Sequence, residues 1–108
     1  MDTQQTDDGL SKNTDSISLG GNIELQGFKA LETAKQIVAK KIIGNHVRQI
    51  QEKKSDYERL KITFEGTEDN ATIKIDLVVG GETMTEDDTK SNVFMAVDGA
   101  FKKIIEKL

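Results

Sequence analysis

The sequence predicts an α+β domain in which a four-stranded sheet carries two helices on one face, in the order β-α-β-β-β-α. Three observations lead to this prediction. Two long segments repeat apolar residues at steps of three and four positions, as amphipathic helices do. Four short segments alternate apolar and polar residues, as strands with one buried face do. Three of these strands follow one another between the two helices, which predicts a meander.

The first 21 residues contain few of the apolar side chains from which a core is built. They include four Asp and one Lys, and they end in two glycines. Such a composition does not offset the entropy of ordering the chain. We therefore expect residues 1–21 to be a disordered acidic leader and residues 22–108 to form a single domain.

A strand and a long helix are predicted after this leader. The stretch NIELQGF, which starts at residue 22, alternates Ile23 and Leu25 with polar residues. From about residue 32 to about residue 53 the pattern predicts one helix that continues through Gly44. The residues expected on its buried stripe are Val38, Ala39, Ile42, Ile43, Val47 and Ile50.

Three consecutive strands are predicted in the middle of the chain. The stretches YERLKITFEG and ATIKIDLVVGG alternate strongly, and the turn-forming residues GTEDN separate them. Gly80 and Gly81 permit the positive φ angles of a two-residue hairpin, so we expect the stretch ETMTE to be the next strand. The inward positions are expected to be Leu60, Ile62, Phe64, Ile73, Ile75, Leu77, Val79 and Met84. The outward positions are expected to be Lys61, Thr63, Glu65, Thr72, Lys74 and Asp76.

The last helix is predicted to follow a loop with the sequence DDTKSN. Ser91 or Asn92 can accept hydrogen bonds from the N–H groups of the first helical turn. The buried stripe of this helix is expected to contain Val93, Val97, Ala100, Phe101, Ile104 and Leu108.

The chain lacks the residues that several classes of function require. The chain has no Cys, so it has neither disulfides nor thiolate chemistry. Neither a signal peptide nor an apolar run of about 20 residues is present, so we expect a cytoplasmic protein without a membrane partner. Glu86, Asp87 and Asp88 lack the ligand spacing of a calcium loop, and we expect them to be part of a solvated linker with no metal.

Catalysis is the least supported function. His46 is the only histidine and falls within the apolar stripe of the first helix, where we expect it to be packed or hydrogen-bonded. No Ser or Cys is placed to form a triad with it. We therefore predict that the protein is not an enzyme and that it uses no cofactor and no small-molecule substrate.

Charge is distributed unevenly along the chain, whose net charge is −4. Between Thr33 and Gln51 there are four basic residues and no acid, whereas the segment from Thr63 to Thr89 holds eight acids and one Lys. The last ten residues are again net positive. A surface polarised in this way can bind phosphates although the total charge is negative. The alternative is that these lysines only solvate the outer faces of helices.

The hairpin ATIKIDLVVGGETMTED and the helix NVFMAVDGAFKKIIEKL, together with the strand order, resemble the ribosome hibernation-promoting factor family. The family's helical pattern, an aromatic residue, any residue, Ala, Ile or Val, and Asp, corresponds here to Phe94, Met95, Ala96, Val97 and Asp98. The resemblance covers about residues 22–108. It implies a domain that lies in the mRNA and tRNA channel of the small ribosomal subunit, contacts rRNA phosphates and silences translation.

Six basic residues are the candidate rRNA contacts. Lys40 and Lys41 correspond to the lysine that the family carries in the middle of its first helix, and Arg48 follows Lys41 on the same outer face. Lys103 matches a basic position after the motif Asp. Charge and expected exposure add Lys102 and Lys107.

Two other functions remain open from the sequence. One is a protein-interaction module that uses its sheet edge or acidic hairpins, and the other is a general RNA-binding domain. A reader of double-stranded RNA is disfavoured, because the segment TEDDTK before the last helix lacks the expected basic residues.

Overall fold

The computed structural model describes residues 16–20 and 22–108, which form five strands and two helices. The strands are β1 (Ser16–Ser18), β2 (Ile23–Gln26), β3 (Arg59–Thr67), β4 (Asn70–Val79) and β5 (Glu82–Lys90), and the helices are α1 (Thr33–Lys53) and α2 (Val93–Glu106). A short 3-10 turn at Phe28–Ala30 precedes α1. The α+β class is confirmed.

The five strands form one sheet in the order β1-β2-β3-β4-β5. Strands β2 and β3 are parallel and are connected through α1, while the other neighbours are antiparallel. The sequence predicted four strands, and β1 is the fifth. It was missed because only Ile17 marks it as apolar, and Ile17 becomes partly buried by pairing with Leu25. The expected disorder of residues 1–15 and 21 lies outside the described residues.

Both helices cover the same face of the sheet, as predicted. The strand residues expected to face inward, apart from the half-buried Val79 and Met84, are at most 6% exposed. Ile73, Ile75, Leu77, Val97, Phe101 and Ile104 are fully buried in one core. The opposite face is half-buried or exposed throughout its predicted polar positions. That face and the outer sides of the helices are therefore the surfaces open to a partner.

The stripe of α1 is narrower than the sequence predicted. Ala39, Ile43, Val47 and Ile50 are buried, but Ile42 is only half-buried and Val38 is 44% exposed. Val38 lies about 100° around the helix from the buried Ala39, and so it leaves the face that packs on the sheet. The prediction that Val38 belongs to the core is wrong.

Strand β5 is longer than expected, because it continues to Lys90 instead of ending at Glu86. Glu86 pairs with Ile75, and Asp88 pairs with Ile73. Directly paired residues share a face, so both acids lie on the side of the sheet that carries the helices. The prediction of a solvated linker at residues 86–88 is therefore wrong.

The predicted hairpin turn, the cap of α2 and the continuity of α1 are confirmed. Gly80 and Gly81 have φ angles of 60° and 80°, which form the two-residue hairpin between β4 and β5. The Asn92 side chain caps α2 by accepting hydrogen bonds from the backbone N–H groups of Phe94 at 2.8 Å and Met95 at 3.2 Å. Helix α1 continues through Gly44 without interruption.

Candidate nucleic-acid interface

Three of the six candidate basic residues lie on the outer side of α1. Lys41 and Arg48 are exposed and Lys40 is half-buried. Seven residues separate Lys41 from Arg48, which places them about two turns and about 10 Å apart along one side of the helix. Gly44 lies between them. We name Lys40, Lys41, Gly44 and Arg48 the α1 ridge.

The positive charges of the α1 ridge are not neutralised by acidic side chains of the described residues. Within the part of the chain that the structure describes, none of its three cations forms an ion pair. Lys35, the fourth basic residue of this acid-free run, differs, because it pairs with Glu68 in the turn between β3 and β4. The hydrogen bond from Lys35 to Glu68 raises the pKa of Lys35 above its ordinary value. The cationic surface of α1 is thus limited to the ridge and to the lysines at the C-terminal end of the helix.

The three candidate lysines of α2 do not share one environment. Lys102 is exposed and forms no ion pair with another described residue. Lys103 donates to the backbone carbonyl of Asp87 at 2.8 Å, and its Nζ lies 3.6 Å from a carboxylate oxygen of Asp88. Lys107 pairs with Glu86. Two of the three lysines are therefore turned toward the acidic strand β5.

Asp88 is the centre of this contact between α2 and β5. Its side chain is only 10% exposed, and Lys90 pairs with it at 2.9 Å. The hydrogen bond from Lys90 lowers the pKa of Asp88, burial opposes the lowering, and the ammonium of Lys103 adds to it. The carboxylate lies directly against Gly99 of α2, where a Cβ atom would be 1.7 Å from its Oδ2. A side chain at position 99 would therefore displace the carboxylate of Asp88.

His46 and Asp98 connect the two helices. The His46 Nε2 lies 2.8 Å from the Asp98 Oδ1, so the ring donates to the carboxylate. The ring also stacks on Phe101, with centroids 4.8 Å apart and planes 10° apart. The Nδ1 atom of His46 is buried without a hydrogen-bond partner among the described residues. The prediction of a packed, hydrogen-bonded histidine is confirmed, and Asp98 of the helical motif is its partner.

An open depression and a few exposed apolar side chains are further features of the described surface. The depression has a volume of about 550 Å³ at the β1–β2–β3 end of the sheet, and charged residues such as Glu24, Arg59 and Lys61 line it. Among the described residues, the exposed large apolar side chains are Ile37, Val38 and Met95.

Neither a metal-binding cluster nor a membrane-spanning helix occurs among the described residues. Residues 16–20 and 22–108 contain no cluster of three or more His, Cys, Asp or Glu side chains that could hold a metal ion. Neither described helix combines the length and apolar character needed to cross a membrane.

Comparison with known proteins gives similarity of structure but not of sequence. No protein family and no curated protein sequence gives a significant match. Among solved structures, the fold is similar to that of a ribosomal subunit interface protein from Coxiella burnetii, with a TM-score of 0.58 and 14% sequence identity. The similarity covers 82% of this chain and 93% of that protein. At this identity it shows a shared fold.

Proposed function

We propose that this protein binds the small ribosomal subunit in its mRNA and tRNA channel, contacts rRNA phosphates and holds the ribosome in a silent, hibernating state. The observation that carries the proposal is the α1 ridge, whose cations have no ion-pair partner among the described residues. The ridge lies on a fold that is shared with a protein named for the ribosomal subunit interface. Such a role belongs to the cytoplasm and to the response to stress.

In this proposal the six basic residues of the two helices have two different roles. Lys40, Lys41, Arg48 and Lys102 are the direct phosphate contacts, because no carboxylate of the described chain competes for them. Lys103 and Lys107 can contact a phosphate only after they leave the acids of β5. We assign these two lysines mainly to neutralising β5, which weakens its repulsion of RNA.

The experiment that tests the proposal is sedimentation with purified small ribosomal subunits at increasing salt. Reversing two ridge charges with Lys41→Glu and Arg48→Glu leaves the core intact, because both side chains are exposed. We expect the wild type to sediment with the subunits at low salt, with log affinity falling against log salt by about one unit per phosphate contact. We expect the double variant to remain in the supernatant.

A matched control changes the same charge on the other side of the molecule. Arg59→Glu and Lys74→Glu alter two exposed cations on the open face of the sheet. This variant is expected to sediment like the wild type and to inhibit cell-free translation equally, while circular dichroism verifies that all variants fold. Equal binding by both double variants would contradict the ridge assignment. Failure of the wild type to bind at low salt would contradict the ribosomal function itself.

A second candidate function is recognition of another protein. It is favoured by Ile37 and Val38, which are 57% and 44% exposed on α1, next to the ridge. Binding through this apolar pair would be weakened by Ile37→Ser and Val38→Ser and would depend little on salt. Steep salt dependence combined with normal binding by this variant would exclude it.

A further inference from the structure

Gly44 is the one described glycine for which the fold gives no reason. Six of the seven glycines in residues 16–20 and 22–108 either have a positive φ angle or touch another group where a side chain would be, namely Gly20, Gly27, Gly66, Gly80, Gly81 and Gly99. Gly44 has neither property, since its φ angle is not positive and a Cβ atom built on it meets no atom of the described residues within 4 Å. A side chain at this position would point into open space.

A glycine at position 44 nevertheless lowers the stability of α1. Gly44 lies in the middle of the 21-residue helix α1, where glycine is less favourable than almost every other residue. An exposed helix interior gains nothing from the freedom that glycine gives to the backbone. Neither the backbone geometry nor the packing of the isolated chain compensates for this loss.

The surroundings of Gly44 match the chemistry of one kind of partner. Lys41 lies one turn before it and Arg48 one turn after it, so two long cationic side chains flank a bare stretch of helix backbone. An RNA phosphodiester strand is a ridge of negative charge, and it can approach closely only where no side chain separates it from the helix. The cations can then reach its phosphates from both sides.

We propose that Gly44 is a positioning residue for RNA, namely the saddle on which a phosphodiester strand lies while Lys41 and Arg48 hold its phosphates. This inference rests on the proposed function and adds the place and direction of the RNA strand. It also explains why Gly44, which lowers the stability of α1, lies at an exposed position in the interior of this helix. A side chain at residue 44 would lift the strand away from the helix and weaken both flanking contacts.

Two substitutions of Gly44 separate stability from binding. Gly44→Ala raises the melting temperature by about 4 to 8 °C, because alanine favours the helix and meets no neighbour. Gly44→Leu also folds, but it lowers affinity for purified small ribosomal subunits by about tenfold, which corresponds to about 1.4 kcal/mol. The slope of log affinity against log salt also becomes shallower by about one to two units, as phosphate contacts are lost.

Asn45→Leu is the matched control. It adds a similar side chain at the next exposed position, about 100° around the helix from the saddle. We expect this variant to bind like the wild type. Normal binding by Gly44→Leu, or an equal loss in Asn45→Leu, would overturn the saddle. If Gly44→Leu binds normally while the Lys41→Glu and Arg48→Glu double variant does not, the saddle is wrong and the ribosomal function stands. If the wild type does not bind, both the saddle and the ribosomal function are wrong.

Discussion

Replacing Phe101 with alanine tests the central packing contact of the molecule. The side chain is fully buried, and its ring stacks on His46 with centroids 4.8 Å apart. Removing a buried phenylalanine ring costs about 3 to 5 kcal/mol, because apolar transfer and the cavity left behind both count. The stacked pair contributes about 0.5 to 1.5 kcal/mol of its own. We expect a cost toward the upper end of that range, because His46 loses its support as well.

Urea unfolding followed by circular dichroism measures this cost. A domain of this size has a total stability of about 5 to 15 kcal/mol, so the variant should lose a large part of it, with a lower midpoint and an unchanged m-value. Lys102→Ala is the control, because it truncates the adjacent exposed residue and should cost at most about 0.5 kcal/mol. A cost below about 1 kcal/mol for Phe101→Ala would show that α2 does not pack through this face.

Two further predictions concern backbone geometry and pH. Gly27→Ala should lower the free energy of unfolding by more than about 1 to 2 kcal/mol, as measured in urea. Gly27 has a φ angle of 86°, and the Cβ atom of alanine would lie 2.3 Å from the Phe64 carbonyl oxygen. An unchanged midpoint of urea unfolding would contradict this close approach. Asp88 has a lowered pKa in the folded state, so its stabilising effect is present above its ordinary pKa of about 3.9 and is lost as the pH falls through the folded value. Asp88→Asn should therefore lose less stability than the wild type on acidification below about pH 4, as followed by thermal unfolding, and parallel pH profiles of the two proteins would refute this role.

Periodicity was enough to predict most of the fold. The alternation at Leu60, Ile62 and Phe64 and the helical spacing around Phe101 describe residues that bury themselves by local pattern alone, and all four are buried. The hairpin at Gly80 depends only on adjacent residues and was equally predictable. Local pattern also placed the α1 ridge on an outer face, since the apolar stripe defines which side of a helix is left over.

The errors at β5 and α2 arise where the environment of a side chain depends on a partner elsewhere in the chain. Asp88 looks like part of a solvated loop, but Lys90 pairs with it, Lys103, fifteen residues later, adds to its neutralisation, and Gly99 leaves room for its carboxylate. The pairing of His46 with Asp98 joins residues that are 52 positions apart, and no spacing rule connects them. For the same reason, the sequence did not show that Lys103 and Lys107 contact β5 whereas Lys102 does not. The sequence shows that Lys107 is charged, but only the fold shows that Glu86 faces it.

The parallel pairing of β2 with β3 has a consequence for how the chain folds. Ile23 meets Leu60 only after the whole of α1 has been laid down between them, whereas β3, β4 and β5 are joined by two-residue turns. Closing a long loop costs more entropy and is slower than closing a short one, so we expect the meander and α2 to form before α1 docks. During synthesis β2 cannot complete its pairing until β3, which starts at Arg59, has emerged. If α1 docks last, we expect its amide hydrogens to exchange before those of the β3–β5 meander, so that the surface with the ridge would open before the rest of the sheet.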